Sequence, residues 1–226
     1  LLSVLMQVAA FEPIMKKAKN AHAAELQLVI GGIGLSALPI FVAQRATLSN
    51  PFGYLKSTFQ TEYYDIGGLS ISNLEIIILV VGWGLGIATA IFLKRSRQGL
   101  ALRSLGVDPE VSSLMGVDRT RMALSGMAFA GALAGLAGAL TTFYLTSITP
   151  ESGNYILLKA FAAIILGGVG SVVGLMIGVT VLAGAETLVI VFSDGGWVNA
   201  VAFGILFIIL VIRPQGVLGK KEVRRT

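Results

Sequence analysis

Apolar stretches long enough to cross a membrane recur along the chain and constrain its fold more than any other feature. A membrane-spanning helix needs about 20 mostly apolar residues. Barrel strands would instead alternate apolar and polar residues, and no such alternation occurs. The sequence therefore predicts an all-α fold, a polytopic transmembrane helical bundle in one domain (1–226), with about six spans visible and the first one truncated. The apolar stretches are Leu1–Phe11, Leu26–Ala43, Leu74–Leu93, Met122–Thr146, Ile156–Phe192 and Val198–Ile212.

Composition excludes most other classes of protein. Only 13% of the 226 residues are charged and 55% are hydrophobic, whereas a soluble domain carries about 25% charged residues. Disorder is excluded because disordered chains are polar and rich in charge. The chain has no cysteine and a single histidine, His22, so a thiol nucleophile, a catalytic triad and a histidine- or cysteine-based metal site are not expected.

Basic residues concentrate in three segments that should lie on one side of the membrane. Three lie between Glu12 and Glu25, six in the loop 94–121 and five in the tail 213–226, so these segments hold 14 of the 17. The positive-inside rule makes that side cytoplasmic, and the C-terminus with it. The net charge of +5 then reflects membrane orientation and not nucleic-acid binding. Alternation requires that the stretch Ile156–Phe192 descend and return, by a full or a re-entrant crossing.

The loop 94–121 contains a short helix with clear start and stop signals. Asp108 is the predicted N-cap, Pro109 occupies the first helical position and Gly116 ends the helix. Apolar residues at 111, 114 and 115 would share one face. Two interpretations remain open: the helix lies in the lipid interface, or it presents an apolar surface to a cytoplasmic partner.

Three blocks in this order carry a family resemblance. The strings ALRSLGVDPEVSSLMGVDRTR (101–121), LKAFAAIILGGVGSVVGLMIG (158–178) and RPQGVLGKKEV (213–223) resemble permease subunits of branched-chain amino acid ABC importers. The resemblance covers most of the chain from about Arg97 onward, and before Leu74 only the general pattern matches. Because the chain opens on apolar residues and the family has further spans before this point, we interpret it as a fragment.

The resemblance implies a transport subunit and not an enzyme. In the family, the short helix of the loop docks on an ATPase subunit; here the corresponding residues are Arg103, Leu105, Gly106, Asp108, Pro109, Leu114, Met115 and Gly116. Two ABC ATPase subunits, a second homologous permease and an external solute-binding protein would be partners, in the lipid bilayer of a bacterial or archaeal cytoplasmic membrane. The chain itself lacks a phosphate-binding loop, so no cofactor is expected in it and ATP would bind to the ATPases.

The resemblance does not decide which solute is carried or what kind of transporter the chain belongs to. Related permeases share these blocks, so urea or a short amide is an alternative to a branched-chain amino acid. A standalone channel or secondary transporter is a more distant alternative. Inverted repeats would favour a secondary transporter, and the sequence has no convincing internal repeat.

Two charged residues are expected inside the membrane, where charge is expensive and marks a paired or functional group. Lys159 lies near the start of the predicted descending helix and Glu186 near the end of the returning one. Because consecutive antiparallel helices would bring them to the same depth, we predict either an ion pair or a vestibule site that meets a zwitterionic solute.

Glycines have two expected uses. The pairs Gly82/Gly86, Gly131/Gly135 and Gly174/Gly178 are spaced for close helix contact. The turn formed by Gly167, Gly168, Gly170 and Ser171 either lines the translocation path or serves only to reverse the chain.

The outer loop between 44 and 73 is rich in aromatic residues, which suits a membrane-interface belt or contact with an external partner.

Overall fold

A computed structural model describes residues 2–17, 21–48, 50–53, 62–66 and 69–192, with single positions at 200, 204, 207, 211 and 216. The predicted last span and the basic tail 213–226 therefore lie almost wholly outside the described residues. The chain divides into two units. The first comprises Leu1–Leu79 and Phe92–Glu151, and the second comprises Val80–Ile91 and Ser152–Thr226.

The first unit opens with a short helical segment that packs on the first long helix. Helix α1 (Leu2–Met6), a π-helical segment (Gln7–Phe11) and α2 (Glu12–Lys17) precede α3 (Ala21–Thr47). The side chain of Ile14 lies so close to Gly31 that a Cβ there would be 2.9 Å from Ile14 Cδ1. Helix α3 continues through Gly31, Gly32, Gly34 and Pro39 for 27 residues, so these residues do not end it. Long membrane helices tolerate such residues when neighbouring groups satisfy the freed backbone.

A small β-hairpin interrupts the otherwise helical architecture. Strands β1 (Tyr63–Ile66) and β2 (Leu69–Ser72) pair antiparallel, with Tyr63 opposite Ser72. The sequence does not predict this hairpin, because strands of four residues leave almost no periodic signal. Tyr64 donates a hydrogen bond of 3.1 Å to the Glu62 carboxylate, and this bond and the negative charge raise the pKa of Tyr64.

The hairpin runs directly into the next long helix, α4 (Asn73–Arg95). Ser72 and Glu75 form a reciprocal capping box: the Ser72 hydroxyl accepts from the Leu74 amide, and the Glu75 carboxylate accepts from the Ser72 amide at 3.1 Å. Such a box satisfies amide groups that have no partner inside the helix. Ser96, in extended conformation, ends α4 and is at the same time the N-cap of α5 (Arg97–Val107).

Helices α6 (Pro109–Leu114) and α7 (Arg119–Leu145) complete the first unit. In the second unit, α8 (Ser152–Gly167) and α9 (Val172–Phe192) form an antiparallel hairpin around a glycine turn. The interface between them holds the most buried apolar side chains of the described residues: Ala162, Ala163, Leu166 and Leu182.

Within the described residues, four helices are long and apolar enough to cross a membrane. The spanning segments are Leu26–Thr47, Asn73–Arg95, Arg119–Leu145 and Val172–Phe192. Two shorter apolar helical segments, Leu2–Met15 and Ser152–Gly167, occupy the positions of the predicted truncated span and the predicted descending helix. The prediction of a polytopic transmembrane helical bundle is confirmed.

Candidate functional site

The short helix α6 begins where the sequence predicts it. One carboxylate oxygen of Asp108 accepts hydrogen bonds from the amides of Glu110 (3.0 Å) and Val111 (3.1 Å). Pro109 lies at the start of the helix, where the backbone N–H that proline lacks would have no partner inside the helix. A six-residue helix is marginal on its own, so these local bonds are a large part of what defines it.

The end of α6 is equally specific. The Val117 amide bonds the Ser112 carbonyl and the Gly116 amide bonds the Ser113 carbonyl, each at 3.1 Å. This pair of bonds is the Schellman motif, which needs a left-handed residue. Gly116 supplies it with a φ of +85°. The predicted start and stop of the helix are confirmed.

Two further hydrogen bonds stabilise the N-terminal end of α6, one from α7 and one within α6 and its N-cap. Arg119, the first residue of α7, donates from Nε to the Pro109 carbonyl at 3.1 Å. Ser112 is buried, and its hydroxyl donates to the Asp108 carbonyl at 2.8 Å. The helix is therefore held at its N-terminal end by the base of a spanning helix.

The opposite face of α6 is apolar and has no cover in the described residues. Leu114 is 86% exposed and Met115 is 82% exposed, and Val111 is also exposed. Val107, which ends α5, is 85% exposed. These four residues, Val107, Val111, Leu114 and Met115, are called the apolar tip below. They lie outside every described segment long enough to span a membrane, so their cover would have to come from the lipid interface or from a partner.

The remaining loop residues implied by the resemblance lie on α5, a helix that the sequence analysis missed. Arg103, Leu105 and Gly106 all fall within Arg97–Val107, where glycine at 99 and 106 weakens the helical signal. Gly99 is buried because the last turn of α4 lies directly against it. Gly106 has open space around it.

The structure brings the two intramembrane charges together. Lys159 Nζ lies 2.8 Å from Glu186 Oε2. The Glu186 side chain is 17% exposed and that of Lys159 is 44% exposed. The second carboxylate oxygen, Glu186 Oε1, is buried and has no hydrogen-bond partner among the described residues.

The glycine turn between α8 and α9 is partly buried. Gly168 and Gly170 adopt positive φ angles of +97° and +86°. The Ser171 hydroxyl caps α9 by accepting from the Gly174 amide at 3.0 Å. Gly167 and Gly168 are buried, whereas Gly170 is exposed, so the described structure is compatible with both predicted uses of the turn.

The three glycine pairs behave differently despite identical spacing. Gly174 and Gly178 both meet the backbone of α8, at Gly167 and Ala163. Gly86 faces Met176 and Gly131 faces Ser3, but their partners in the spacing, Gly82 and Gly135, have nothing within 4 Å. Close helix contact through both members of a pair is therefore confirmed for one pair among the described residues.

No group of three or more His, Asp or Glu side chains suited to a metal ion occurs within the described part of the chain. What the geometry offers instead is several spanning helices, an exposed apolar tip on a capped helix outside them, and one ion pair inside a helical hairpin. These features define a multi-pass membrane protein with an exposed apolar surface on a short helix outside its spanning segments.

The chain belongs to the branched-chain amino acid transport system permease family, whose model matches residues 20–211. It is 33% identical over 156 residues to the high-affinity branched-chain amino acid transport system permease protein LivH of Salmonella typhimurium, an alignment that covers 69% of this chain and 51% of the relative. It is 35% identical over 162 residues to BraD of Pseudomonas aeruginosa, covering 71% and 52% of the two chains. The resemblance inferred from the three sequence blocks is thereby confirmed.

An archaeal relative aligns over more of its length. The probable branched-chain amino acid transport permease protein LivH of Methanocaldococcus jannaschii is 29% identical over 228 residues, covering 95% of this chain and 70% of the relative. The chain spans about half the length of the bacterial relatives it matches. No solved structure matches the chain.

Proposed function

We propose that this chain forms part of the translocation path of an ATP-driven importer for branched-chain amino acids. The solute class is the one that the names of its relatives give. The observation that carries the proposal is the apolar tip on α6, a surface outside the membrane segments that is rigidly presented and uncovered. ATP-driven transport needs such a surface, because movement has to pass from an ATPase to the membrane helices.

The contacts of α6 suit that task. A docking helix transmits force only if it is tied to the spanning helices, and Arg119 ties the start of α6 to the start of α7. The Asp108 cap and the Gly116 turn fix both of its ends. A partner that moves the apolar tip would therefore also move the base of a spanning helix.

The proposal assigns the remaining chemistry to other chains. Two ATPase subunits bind and hydrolyse ATP, a second homologous permease completes the path, and an external binding protein delivers the solute. This chain then needs no cofactor. Its loop 94–121 faces the cytoplasm together with its C-terminus, in keeping with the concentration of basic residues there.

The test uses the full-length protein in its complete importer, reconstituted in proteoliposomes with the solute-binding protein. We expect uptake of radiolabelled leucine that requires ATP and both ATPase subunits. Uptake that proceeds without ATP or without the ATPases would contradict the proposal. Selectivity among leucine, urea and acetamide separates the amino acid importer from the urea or amide alternative.

Leu114→Asp tests the role of the apolar tip. We expect ATP-driven uptake to fall at least tenfold and ATPase subunits to be lost during purification, since a carboxylate replaces an apolar contact. Ser113→Asp is the matched control: it adds the same charge on the same helix at an exposed polar position. Equal uptake in wild type and Leu114→Asp would remove the docking assignment.

A further inference from the structure

Lys159 and Glu186 stand apart from the rest of the second unit. They are the only charged side chains in its described residues, 80–91 and 152–192. At about 1.5 Å rise per residue, Lys159 lies about 10 Å from the start of α8 and Glu186 about 9 Å from the end of α9. Both charges therefore sit about two turns inside a helical hairpin whose other contacts are apolar side chains and glycine backbone.

The pair leaves one acceptor unused. Lys159 Nζ donates to Glu186 Oε2 at 2.8 Å, but the buried Oε1 has no donor among the described residues. A buried polar group without a hydrogen bond costs about 1–3 kcal/mol, and more when it is charged. Such a group calls for an occupant that supplies a donor.

The two threonine hydroxyl groups of α9 do not supply that donor. Thr187 Oγ1 donates to the Ala183 carbonyl at 2.9 Å, and Thr180 Oγ1 donates to the Met176 carbonyl at 2.8 Å. Each hydroxyl has one proton, so both are committed to their own helix. Lys159 has three protons, and its hydrogen bond to Glu186 uses one of them, which leaves donors for an additional acceptor.

We infer that Lys159 and Glu186 form a docking point for the charged end of an α-amino acid. The carboxylate of the solute accepts from a remaining N–H of Lys159, whose side chain is 44% exposed. The ammonium group of the solute donates to Glu186 Oε1 once a change of side-chain conformation exposes this oxygen, which is buried in the present structure. This inference rests on the proposed function, because it takes the solute to be an amino acid. It adds to that function a site inside this chain.

Charge balance selects a zwitterion over other ligands. The ion pair has no net charge, so a simple cation or anion bound there would leave one uncompensated charge at membrane depth, which is costly. A zwitterion adds both charges at once and keeps the sum at zero. The carboxylate of the zwitterion is matched to the remaining N–H donors of Lys159, and its ammonium group is matched to the remaining acceptor oxygen of Glu186.

A double neutral variant separates this role from a merely structural ion pair. Removing one partner of a buried pair leaves the other charge uncompensated, but replacing both partners with neutral residues is often harmless to folding. We therefore compare Lys159→Met/Glu186→Gln with wild type in the complete reconstituted importer. Thr187→Val is the matched control, since it removes a polar group next to Glu186 without touching the pair.

We expect the double variant to lose leucine uptake and to keep its ATPase activity. In the double variant, the ATPase activity stimulated by the loaded binding protein stays within twofold of wild type, while leucine uptake falls at least tenfold. Thr187→Val keeps both. Leucine uptake within twofold of wild type in the double variant would overturn the inference and leave the pair structural. If the wild-type importer itself takes up no leucine, the proposed function fails instead.

A measurement on wild type keeps the inference testable even if the double variant fails to assemble. The carboxylate stretching band of Glu186 in infrared difference spectra is identified by its loss in Glu186→Gln. We expect leucine to shift this band, and expect neither 4-methylpentanoate, which lacks the ammonium group, nor 3-methylbutylamine, which lacks the carboxylate, to reproduce the shift. A band that does not respond to leucine, as expected if a water molecule occupies Oε1, would also overturn the inference.

Discussion

The α8–α9 hairpin and the α5–α6 segment use apolar residues and glycine for opposite purposes. In the hairpin, Gly174 and Gly178 remove side chains so that two helix backbones touch, and Leu166 and Leu182 are buried beside them. In the α5–α6 segment, Gly106 and Gly116 lie in open space and the apolar tip is exposed. The first region buries part of its apolar surface between its own two helices, whereas the apolar tip of the second region has no cover in the described residues.

Both regions use apolar residues and glycine, and they differ in whether these residues are buried against another helix or exposed. Both regions contain apolar residues at helical spacing. Substitutions in the hairpin should therefore act through stability, whereas substitutions in the α5–α6 segment should act through coupling. The following predictions test that division, beginning with the largest effect.

Gly178→Val should destabilise the protein most. A Cβ at Gly178 would lie 2.5 Å from the Ala163 carbonyl oxygen and 2.9 Å from the Gly167 amide nitrogen. Overpacking costs about 1–3 kcal/mol, and the upper end applies because backbone atoms of a packed helix cannot turn away. The midpoint temperature of unfolding in detergent measures the effect.

Gly184→Val is the control for this substitution, since Gly184 lies on the same helix with nothing within 4 Å. It should leave the midpoint nearly unchanged. Equal destabilisation by both variants would mean that helix propensity, and not the contact between α8 and α9, governs stability here.

Gly116→Ala should have an intermediate effect confined to the α5–α6 segment. An alanine at a φ of +85° adopts a left-handed conformation that costs about 1–2 kcal/mol. Hydrogen exchange at the Gly116 and Val117 amide positions should accelerate by about tenfold for each 1.4 kcal/mol lost. Uptake should fall while the unfolding midpoint changes little.

Gly106→Ala is the control for Gly116→Ala. Like Gly116, Gly106 has open space where a Cβ would lie, but it is part of a helix with ordinary backbone angles. There alanine should stabilise α5 by about 0.5–1 kcal/mol. If both alanines slowed exchange alike, the left-handed turn would not be what ends α6.

Arg119→Ala should have the smallest effect. It removes the hydrogen bond to the Pro109 carbonyl, which is worth about 0.5–1.5 kcal/mol and lies near the lower value because the site is exposed. Exchange of the amides of α6 should accelerate by about two- to threefold, since 1.4 kcal/mol corresponds to tenfold. ATP-driven uptake should fall by a similar factor.

Arg121→Ala removes the same charge two residues away, where Arg121 pairs only with Asp118 at 3.2 Å across an exposed surface. Such pairs contribute little, so α6 should be unaffected. A loss of protection equal to that in Arg119→Ala would show that charge in this loop matters more than the tie to α6.

Local signals made α6 predictable. Asp108, Pro109 and Gly116 each act within four residues of their own position, so their effect can be inferred without knowing the fold. The meeting of Lys159 and Glu186 was predictable because opposite charges at equal depth on consecutive helices have few other partners.

Features set by tertiary contact were not predictable. The pairs Gly82/Gly86 and Gly174/Gly178 have the same spacing, but only the second has a backbone against both members. The α5 helix was missed because burial of Gly99 against α4 compensates for its low helix propensity. The unpaired oxygen of Glu186 depends on which donors the folded hairpin brings within reach of it, and a sequence does not contain that information.

Ser96 gives the link between α4 and α5 an unusual mechanical character. A single residue ends one helix and caps the next, its hydroxyl bonds the Gly99 amide at 2.8 Å, and its own amide bonds the Phe92 carbonyl. Because both sides of the junction are hydrogen-bonded, the backbone at Ser96 cannot rotate without breaking one of these bonds, and this ties the orientation of α5 to the last turn of α4.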